Sequence, residues 1–452
     1  MMNRTLNIFC RLAIVAALAS TMTGCGIYGK FKTPEYEETA DAYGDLAVED
    51  STSIGDILWR EFFDDENLKA LIDTALANNA DLATARFRID EAQASLKAAR
   101  LAYIPGFDVS PNAAYAYDIE AKGGAWSFQL PVNASWQVDI FGKLTNAKRG
   151  QLAAYMQSQE YVRAVQAQLV ATVAIQYYSL LALDAQYVIY QETEKNWREN
   201  VRVTEQLLEA GRYTADAVYQ AQANYYSVCN SLVDIRQQLH QAENQMCSLL
   251  GKVSGTPIAR GSLEDWSTPE MIEVGIPVEV LSNRPDVKQA EYQFAQAFYA
   301  TNGARSAMYP SITITGSLDF YSMIVNAVGS LVEPIFQQGQ LRANLKIAKA
   351  QQAEAEVAFR QAIIDAGIEV NNTVTALKAA QDKTANYAAQ VSSLKKAVQA
   401  TQDRMQDKNA TYLEVLTAQQ SLLTAQVGEI SNRLTEISEV ITLYQALGGG
   451  CE

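Results

Sequence analysis

The sequence predicts an α+β membrane protein, built from very long α-helices and a few amphipathic β-strands that several chains share. Two observations carry this prediction. Apolar residues recur at helical spacing through two stretches of about 67 residues, and four short segments alternate apolar and polar residues. A third observation, an internal repeat, orders these elements along the chain.

The chain repeats its own landmarks roughly 200 residues apart, which indicates a duplicated structural unit. The landmarks are 98–105 (AARLAYIP) with 303–310 (GARSAMYP), 138–141 (VDIF) with 333–336 (EPIF), and 217–222 (AVYQAQ) with 414–419 (EVLTAQ). Each copy contains a helix, a strand pair, a long helix, a turn and a helix. We place the copies at 67–250 and 280–447, with a linker at 251–279 and a C-terminal tail at 448–452.

The N-terminus is typical of an exported protein. Arg4 and Arg11 supply the positive region, an apolar stretch covers 12–18, and small residues lead to Cys25. The run MTGC at 22–25 resembles a lipoprotein signal, in which the cysteine becomes the lipidated first residue; an ordinary signal peptide is the alternative. We predict a signal peptide over 1–24 and an extended lipidated segment over 25–66.

Composition argues against several functions. The formal net charge of −15 disfavours a nucleic-acid partner, because phosphate binding needs a basic face. A single histidine, His240, and the lack of a Cys/His cluster with metal spacing disfavour a metal site. The sequence offers no nucleophile motif and no phosphate-binding glycine loop. We therefore expect a protein that is not an enzyme and has no cofactor apart from the lipid on Cys25.

Alternation with a period of two predicts strands at about 106–138 and about 311–335. The apolar positions of the three clearest segments are Phe107, Val109, Ala113, Tyr115 and Tyr117; Phe128, Leu130, Val132, Ala134, Trp136 and Val138; and Ile312, Ile314, Leu318 and Phe320. The fourth segment, 323–334, alternates weakly and is assigned by its place in the repeat, with a short link expected near 326–329. Pro111 and Pro131 have no backbone N–H to donate to a neighbouring strand, so we expect irregular strand pairing there.

A half-buried sheet in a soluble domain is the alternative interpretation of these strands. Their length suits tilted strands that cross a bilayer, and Tyr and Trp lie near their ends as in an interfacial girdle. Four strands cannot close a barrel, because closure needs at least about eight and open edges are not tolerated in lipid. The strands therefore predict a transmembrane β-barrel to which several chains contribute.

The long helices are predicted at Lys143–Glu209 and Leu341–Asp407, each about 100 Å long. Shorter helices are predicted at Asn67–Tyr103, Ala215–Leu250, Val280–Tyr309 and Tyr412–Leu447. Two shorter helices placed end to end match one long helix. This match favours a long α-helical coiled-coil barrel, with a solid coiled-coil rod as the alternative.

Polar breaks end the two helical hairpins. These tips are Gly211, Arg212, Tyr213 and Thr214 in the first copy, and Lys408, Asn409, Ala410 and Thr411 in the second. They are either simple solvated turns or, in a tube, the ends where a partner docks and the bore narrows.

Four motifs resemble the TolC-like outer-membrane efflux protein family, and more narrowly its lipoprotein branch, which serves resistance-nodulation-division (RND) tripartite pumps. The motifs are 136–143 (WQVDIFGK), 283–287 (NRPDV), 308–317 (MYPSITITGS) and 334–341 (PIFQQGQL). The resemblance implies a homotrimer in the bacterial outer membrane, with four strands per chain in a shared twelve-stranded barrel and a large periplasmic extension. An inner-membrane RND pump and a periplasmic adaptor would meet the tips, and the lipid on Cys25 would anchor each chain.

Family members often carry aspartates at the narrow end of the tunnel, near the second tip. Ala410 and Thr417 stand here at positions where acidic residues are common. The chain thus departs from the family pattern, and the nearby carboxylates Asp216, Asp407 and Glu414, together with Thr417, are the candidate constriction, with gating by Asp407 or Glu414 as a hypothesis.

The function predicted from the sequence is a passive exit channel that conducts small molecules such as drugs. A type I secretion channel is one alternative. A periplasmic coiled-coil adaptor or scaffold is another, although adaptors usually have one helical hairpin and this chain predicts two.

Overall fold

The computed structural model describes residues 28–34, 36, 54–120, 122–267, 284–319, 324–332, 339–406 and 412–451. The helices are α1 (Trp59–Phe62), α2 (Glu66–Asn78), α3 (Ala80–Leu101), α4 (Lys143–Glu209), α5 (Ala215–Leu249), α6 (Pro285–Ser306), α7 (Gln340–Gln406) and α8 (Tyr412–Ala446). The strands are β1 (Gly106–Val109), β2 (Asn112–Asp118), β3 (Gly123–Gln129), β4 (Pro131–Val138), β5 (Ser311–Asp319) and β6 (Ile324–Val332).

Helix lengths match pairwise between the two halves of the chain. Both α4 and α7 have 67 residues, both α5 and α8 have 35, and both α3 and α6 have 22. The predicted bounds of α4 are confirmed at both ends. Uninterrupted helical periodicity without proline sufficed for this prediction.

The prediction of one helix over 67–103 is wrong, because the chain breaks at Asn79. The backbone of Asn79 is extended, and its side-chain oxygen accepts hydrogen bonds from the N–H groups of Asp81 and Leu82, at 3.0 and 3.1 Å. Asn79 therefore caps the start of α3 while it ends α2, a use of asparagine that competes with a continuous helix.

The chain divides into two compact units, a strand unit and a hairpin unit. Of the described residues, the strand unit contains those that fall within 28–34, 87–160 and 288–361. The hairpin unit contains residue 36 and those that fall within 54–86, 161–267, 284–287 and 362–451. In the strand unit, β1, β4, β5 and β6 form an antiparallel sheet in the order β1-β4-β5-β6, while β2 and β3 form a separate antiparallel pair.

The two prolines interrupt the strands as expected. Pro111 lies in the break between β1 and β2, and Pro131 follows the break at Leu130 between β3 and β4. The N–H of Ser110 still donates to the carbonyl of Pro131, at 3.2 Å. The expected link at 326–329, by contrast, is wrong. These residues pair with 314–317 in the middle of β6, because turn-forming residue types do not override pairing with β5.

Residues 28–34 lie against the strand unit near the start of α4. The Tyr28 hydroxyl donates to the carbonyl of Ile140, and Arg149 Nη1 donates to the carbonyl of Tyr28 at 2.9 Å. Phe31 packs edge-on against Phe294 of α6, with ring centroids 5.1 Å apart. Residues 28–34 are therefore held by specific contacts.

A buried arginine joins three helices of the hairpin unit. Arg284, directly before α6, is 7% exposed and pairs with Asp286 (2.7 Å) and with Glu369 of α7 (2.6 Å). Its Nη1 also donates to the carbonyl of Ala446 at the end of α8, at 2.7 Å. Burial would raise the pKa of Asp286, but the hydrogen bonds and charge of Arg284 outweigh burial and hold that pKa below its usual value.

Candidate functional site

The four-stranded sheet has one apolar and one polar face. Residues opposite each other in antiparallel strands share a face. The apolar face includes the directly opposed pairs Phe107–Ala134, Val109–Val132, Trp136–Ile314, Val138–Ile312 and Ile312–Leu331. The polar face includes Asp108–Asn133, Asn133–Ser317, Ser135–Thr315, Gln137–Thr313 and Thr313–Ser330. The faces predicted for these strands are confirmed.

Side chains on the polar face bond to one another. Asn133 Nδ2 donates to Asp108 Oδ2 at 2.9 Å and to Ser110 Oγ at 3.1 Å. The side chains of the apolar face, by contrast, are not covered by the rest of the described chain: Phe107 is 74% exposed and Leu331 is 66% exposed. An apolar face of this size requires a partner surface or lipid.

The separate strand pair is rich in exposed aromatic residues. Tyr115 of β2 lies opposite Trp126 of β3, with ring centroids 5.2 Å apart, and Phe128 stacks on Trp126. Trp126 is 64% exposed. Exposed aromatic rings of this kind are typical of a membrane interface.

The sheet also has unpaired edges. Among the described residues, β1 pairs only with β4, and β6 pairs only with β5. The outer edge of each strand therefore presents backbone donors and acceptors without ladder partners. In soluble proteins such edges invite association with another chain, and in lipid they must be paired.

The first tip is an ordered helix end. Gly211 has a φ of +71°, its N–H donates to the carbonyl of Leu208, and the N–H of Arg212 donates to the carbonyl of Leu207, both at 2.8 Å. This hydrogen-bond pair is the Schellman ending, which favours glycine at the left-handed position. Tyr213 and Thr214 then lead into α5.

The two hairpins meet next to their ends. Trp197 of α4, Ala221 and Val228 of α5, and Leu416 and Leu423 of α8 form a buried group, here called the end cluster. Tyr213 and Met405 pack against this cluster. Asn200 Nδ2 also donates to Gln419 Oε1 at 2.8 Å, which joins α4 to α8. The end cluster therefore fixes one hairpin against the other.

The described residues of the candidate constriction have different environments. Asp216 is exposed in the first turn of α5, whereas Glu414 lies 3.7 Å from Arg404 of α7, so that an ion pair joins α7 to α8. The Thr417 hydroxyl donates to the carbonyl of Leu413 in its own helix, at 2.9 Å. Sequence reasoning missed Arg404 because its partner lies across a turn, at no helical spacing.

Several predicted residues lie outside the described part of the chain. They are Cys25, Asp407, Lys408, Asn409, Ala410 and Thr411. Within the described ranges, no group of three or more His, Cys, Asp or Glu side chains could hold a metal ion. Nor does any helix in those ranges combine the length and apolar character needed to cross a membrane.

The fold is that of known outer-membrane channels. A crystal structure of CusC superposes with a TM-score of 0.82 at 28% identity, covering 92% of this chain and 99% of the CusC chain. The family profile described as outer membrane efflux protein matches residues 71–252 and 276–449. The chain therefore belongs to the outer membrane efflux protein family, and the predicted resemblance is confirmed.

Three relatives in this family match nearly the whole chain. The cation efflux system protein CusC of Escherichia coli O6:H1 (strain CFT073) is 30% identical over 405 residues, 87% of this chain and 88% of CusC. The probable outer membrane lipoprotein SilC of Salmonella typhimurium is 29% identical over 410 residues, 88% of this chain and 89% of SilC.

The third relative is the toluene efflux pump outer membrane protein TtgC of Pseudomonas putida, which is 28% identical over 475 residues, 97% of this chain and 95% of TtgC. By name, CusC belongs to a cation efflux system, SilC is a probable outer membrane lipoprotein and TtgC is the outer membrane protein of an efflux pump; none is named as an enzyme. The chain is accordingly an outer-membrane protein that serves as an exit channel in efflux.

Proposed function

We propose that three copies of this chain form the exit channel of a tripartite efflux system, which conducts small molecules passively to the outside. The observation that carries this proposal is the β1-β4-β5-β6 sheet, with one exposed apolar face, one hydrogen-bonded polar face and two open edges. A barrel with lipid outside and water inside needs each of these properties.

Strand counting is compatible with three copies. The segment β1 with β2 forms one crossing and β3 with β4 a second, and β5 and β6 add two more. Three copies then supply twelve strands, which exceeds the roughly eight needed for closure. Pairing between the edges of neighbouring chains would remove every open edge. The polar face of the sheet, which includes Asn133 and Thr315, would line the lumen.

An unpartnered stripe on α5 supports association along the helices as well. Tyr219, Tyr226 and Val233 follow each other at intervals of seven residues and are 68%, 62% and 59% exposed. Apolar residues at a spacing of seven are typical of a helix that packs along another helix in a coiled coil. We assign this stripe to contact with a second copy, in an α-helical tunnel whose two repeats supply matched helices.

A lipid on Cys25 would anchor each chain. The relative SilC is named an outer membrane lipoprotein, and the MTGC run of this chain resembles a lipoprotein signal. Cys25 precedes Tyr28 by three residues, and the Tyr28 hydroxyl bonds to the carbonyl of Ile140, two residues beyond the end of β4. A lipid tethered there would enter the membrane beside the proposed barrel.

The relatives' names differ in cargo: cations for CusC and toluene for TtgC. We propose small molecules as the cargo class here, with selection made by an inner-membrane RND pump and a periplasmic adaptor. Both tips, 211–214 and 408–411, are the proposed adaptor-docking positions. The chain itself would neither catalyse a reaction nor need a cofactor.

The proposed constriction involves Asp216, Asp407, Glu414 and Thr417, with the Glu414–Arg404 ion pair as a restraint on the end of the second hairpin. Glu414→Gln should raise single-channel conductance because it weakens this restraint. Glu199→Gln, which breaks an exposed pair with Arg202 on α4, is the control. Unchanged conductance in Glu414→Gln would remove Glu414 as a gate residue.

The experiment that tests the channel is planar-bilayer recording with the detergent-purified full chain. Discrete conductance steps, and passage of small solutes but not of folded polypeptides from loaded vesicles, support the efflux channel. Bilayers that stay silent at protein densities sufficient for other porins would contradict it. Passage of an unfolded secretion substrate would favour the type I secretion alternative.

A further inference from the structure

A small cavity in the hairpin unit has aromatic walls and an acidic rim. Its volume is about 260 Å³, and its walls include the buried side chains of Phe62, Tyr178 and Trp266. Three carboxylates, Asp64, Asp65 and Asp265, line the same cavity. None of these residues belongs to the strands, the tips or the proposed constriction.

The negative charge around the cavity is not neutralised by an ion pair among the described residues; the nearby Arg433 donates instead to the Trp266 carbonyl, at 2.8 Å. Asp65 Oδ1 accepts from the N–H of Asn67 at 2.7 Å, and Asp265 Oδ2 accepts from the N–H of Ser262 at 3.1 Å. The Tyr177 hydroxyl also donates to Asp65 Oδ2, at 2.5 Å. These hydrogen bonds involve neutral donors and leave the negative charges in place. Among the described residues, no Lys or Arg forms an ion pair with any of the three aspartates. Three formal negative charges thus surround one small cavity.

Two polar groups in the walls lack partners. Trp266 is 8% exposed, and its indole N–H finds no acceptor in the structure as described. Tyr178 is 3% exposed, and its hydroxyl forms no hydrogen bond with any described residue. Burial, followed by the nearby charge of Asp65, raises the pKa of Tyr178, and Asp64 adds to this effect. The Tyr178 hydroxyl therefore lies within electrostatic reach of Asp65 and Asp64.

The rings and the carboxylates together define the ligand class. Tyr178 and Trp266 meet edge to face, with centroids 5.0 Å apart and planes at 75°, so the two rings form an aromatic corner. Organic cations bind to aromatic faces and are neutralised by carboxylates. The described acidic residues do not converge as metal ligands. The volume is also below the roughly 300 Å³ at which drug-sized pockets begin.

We propose that this cavity is a binding site for the ammonium group of a small organic cation. The charge of Asp64 and Asp265 attracts the cation, and the Tyr178 and Trp266 rings contact its methyl or methylene groups. Asp64 is exposed and forms no hydrogen bond with a described residue, so it is the carboxylate most available to a ligand. The site would operate independently of conduction through the proposed channel.

Calorimetric titration of the detergent-solubilised full chain with choline tests the site. The matched neutral probe is 3,3-dimethylbutan-1-ol, which has the same shape without the charge. We expect choline to bind about tenfold more tightly than the alcohol, and to bind less tightly as NaCl is raised. Equal binding of the two probes, or no binding of choline, would overturn the proposal.

Variants connect the binding to the cavity. Asp64→Asn combined with Asp265→Asn should weaken choline binding about tenfold, since both charges are lost. The control is Asp81→Asn with Asp234→Asn, which removes equal charge from exposed helix positions of the same unit. If the double variant folds poorly, the single variant Asp64→Asn replaces it, because Asp64 supports no described contact. Wild-type affinity in a folded Asp64 variant would refute the assignment.

Discussion

At the residue scale, the buried Arg284 joins three helices. Its guanidinium joins the start of α6, the middle of α7 and the end of α8 through Asp286, Glu369 and the Ala446 carbonyl. Arg284→Met leaves these three acceptors without their donor. We expect a loss of about 2–3 kcal/mol in the free energy of unfolding, measured as a lower melting temperature by circular dichroism.

The control for Arg284 is Arg60→Met, which breaks an ion pair with Asp73 whose partners are both about half exposed. An exposed pair contributes about 0–1 kcal/mol. Equal destabilisation by the two substitutions would show that the buried contacts of Arg284 stabilise the fold no more than an exposed ion pair does.

The lowered pKa of Asp286 predicts a pH dependence of stability. A carboxyl group with a lowered pKa in the folded state contributes stability above its unfolded pKa of about 3.9, and this contribution is lost as the pH falls through the folded pKa. The difference in melting temperature between wild type and Asp286→Asn should therefore shrink between pH 6 and pH 3. A difference that does not change with pH would contradict the account of the Arg284–Asp286 pair.

At the element scale, β5 offers a direct test of the two sheet faces. Ile314 lies on the apolar face opposite Trp136, and its neighbour Thr313 lies on the polar face opposite Gln137. Ile314→Lys should impair assembly, since Lys on a lipid-facing strand position costs about 2–4 kcal/mol at mid-membrane. Thr313→Lys should assemble normally. Detergent-resistant oligomer on a gel is the measurement, and the opposite ranking would reverse the assignment of the faces.

The stripe on α5 gives a second element-scale prediction. Tyr219→Glu with Tyr226→Glu should weaken self-association, because two charges then enter a proposed helix contact. Gln220→Glu with Ser227→Glu adds the same charges one position along the helix, outside the stripe. Sedimentation in detergent should report smaller oligomers for the tyrosine variant alone. Identical sedimentation of both variants would place the stripe outside the interface.

Most elements could be predicted because their signals are local. The period of two in 127–138 and the unbroken helical period of 143–209 depend only on neighbouring residues. Two predictions failed. At Asn79 a side chain caps the nearby backbone and interrupts a predicted helix, and at Asn326 pairing with the distant strand β5 determines the structure in place of a predicted turn.

The site was predictable in part for the same reason. Gly211 and its polar neighbours identified the first tip, since glycine at a helix end is a local signal. The contact of Trp197 with Leu416, the Glu414–Arg404 pair and the cavity at Trp266 depend on segments far apart in the chain. No spacing in the sequence indicates these contacts.

At the scale of the whole molecule, the account depends on completion of an open sheet by other copies of the chain. Within one chain, the apolar face of the sheet is exposed, and β1 and β6 have unpaired outer edges among the described residues. Open edges invite association with another chain in water and must be paired in lipid, and an exposed apolar face marks a surface that contacts a partner or lipid. Association therefore follows from the sheet itself, and the proposed three copies, with four strand crossings each, would supply a twelve-stranded barrel.

Native mass spectrometry of the full chain, released from detergent, tests this central claim most directly. The account predicts a dominant species with three times the mass of the processed chain, together with bound lipid. A single copy as the dominant species under gentle release, from protein whose helical content is intact, would contradict it.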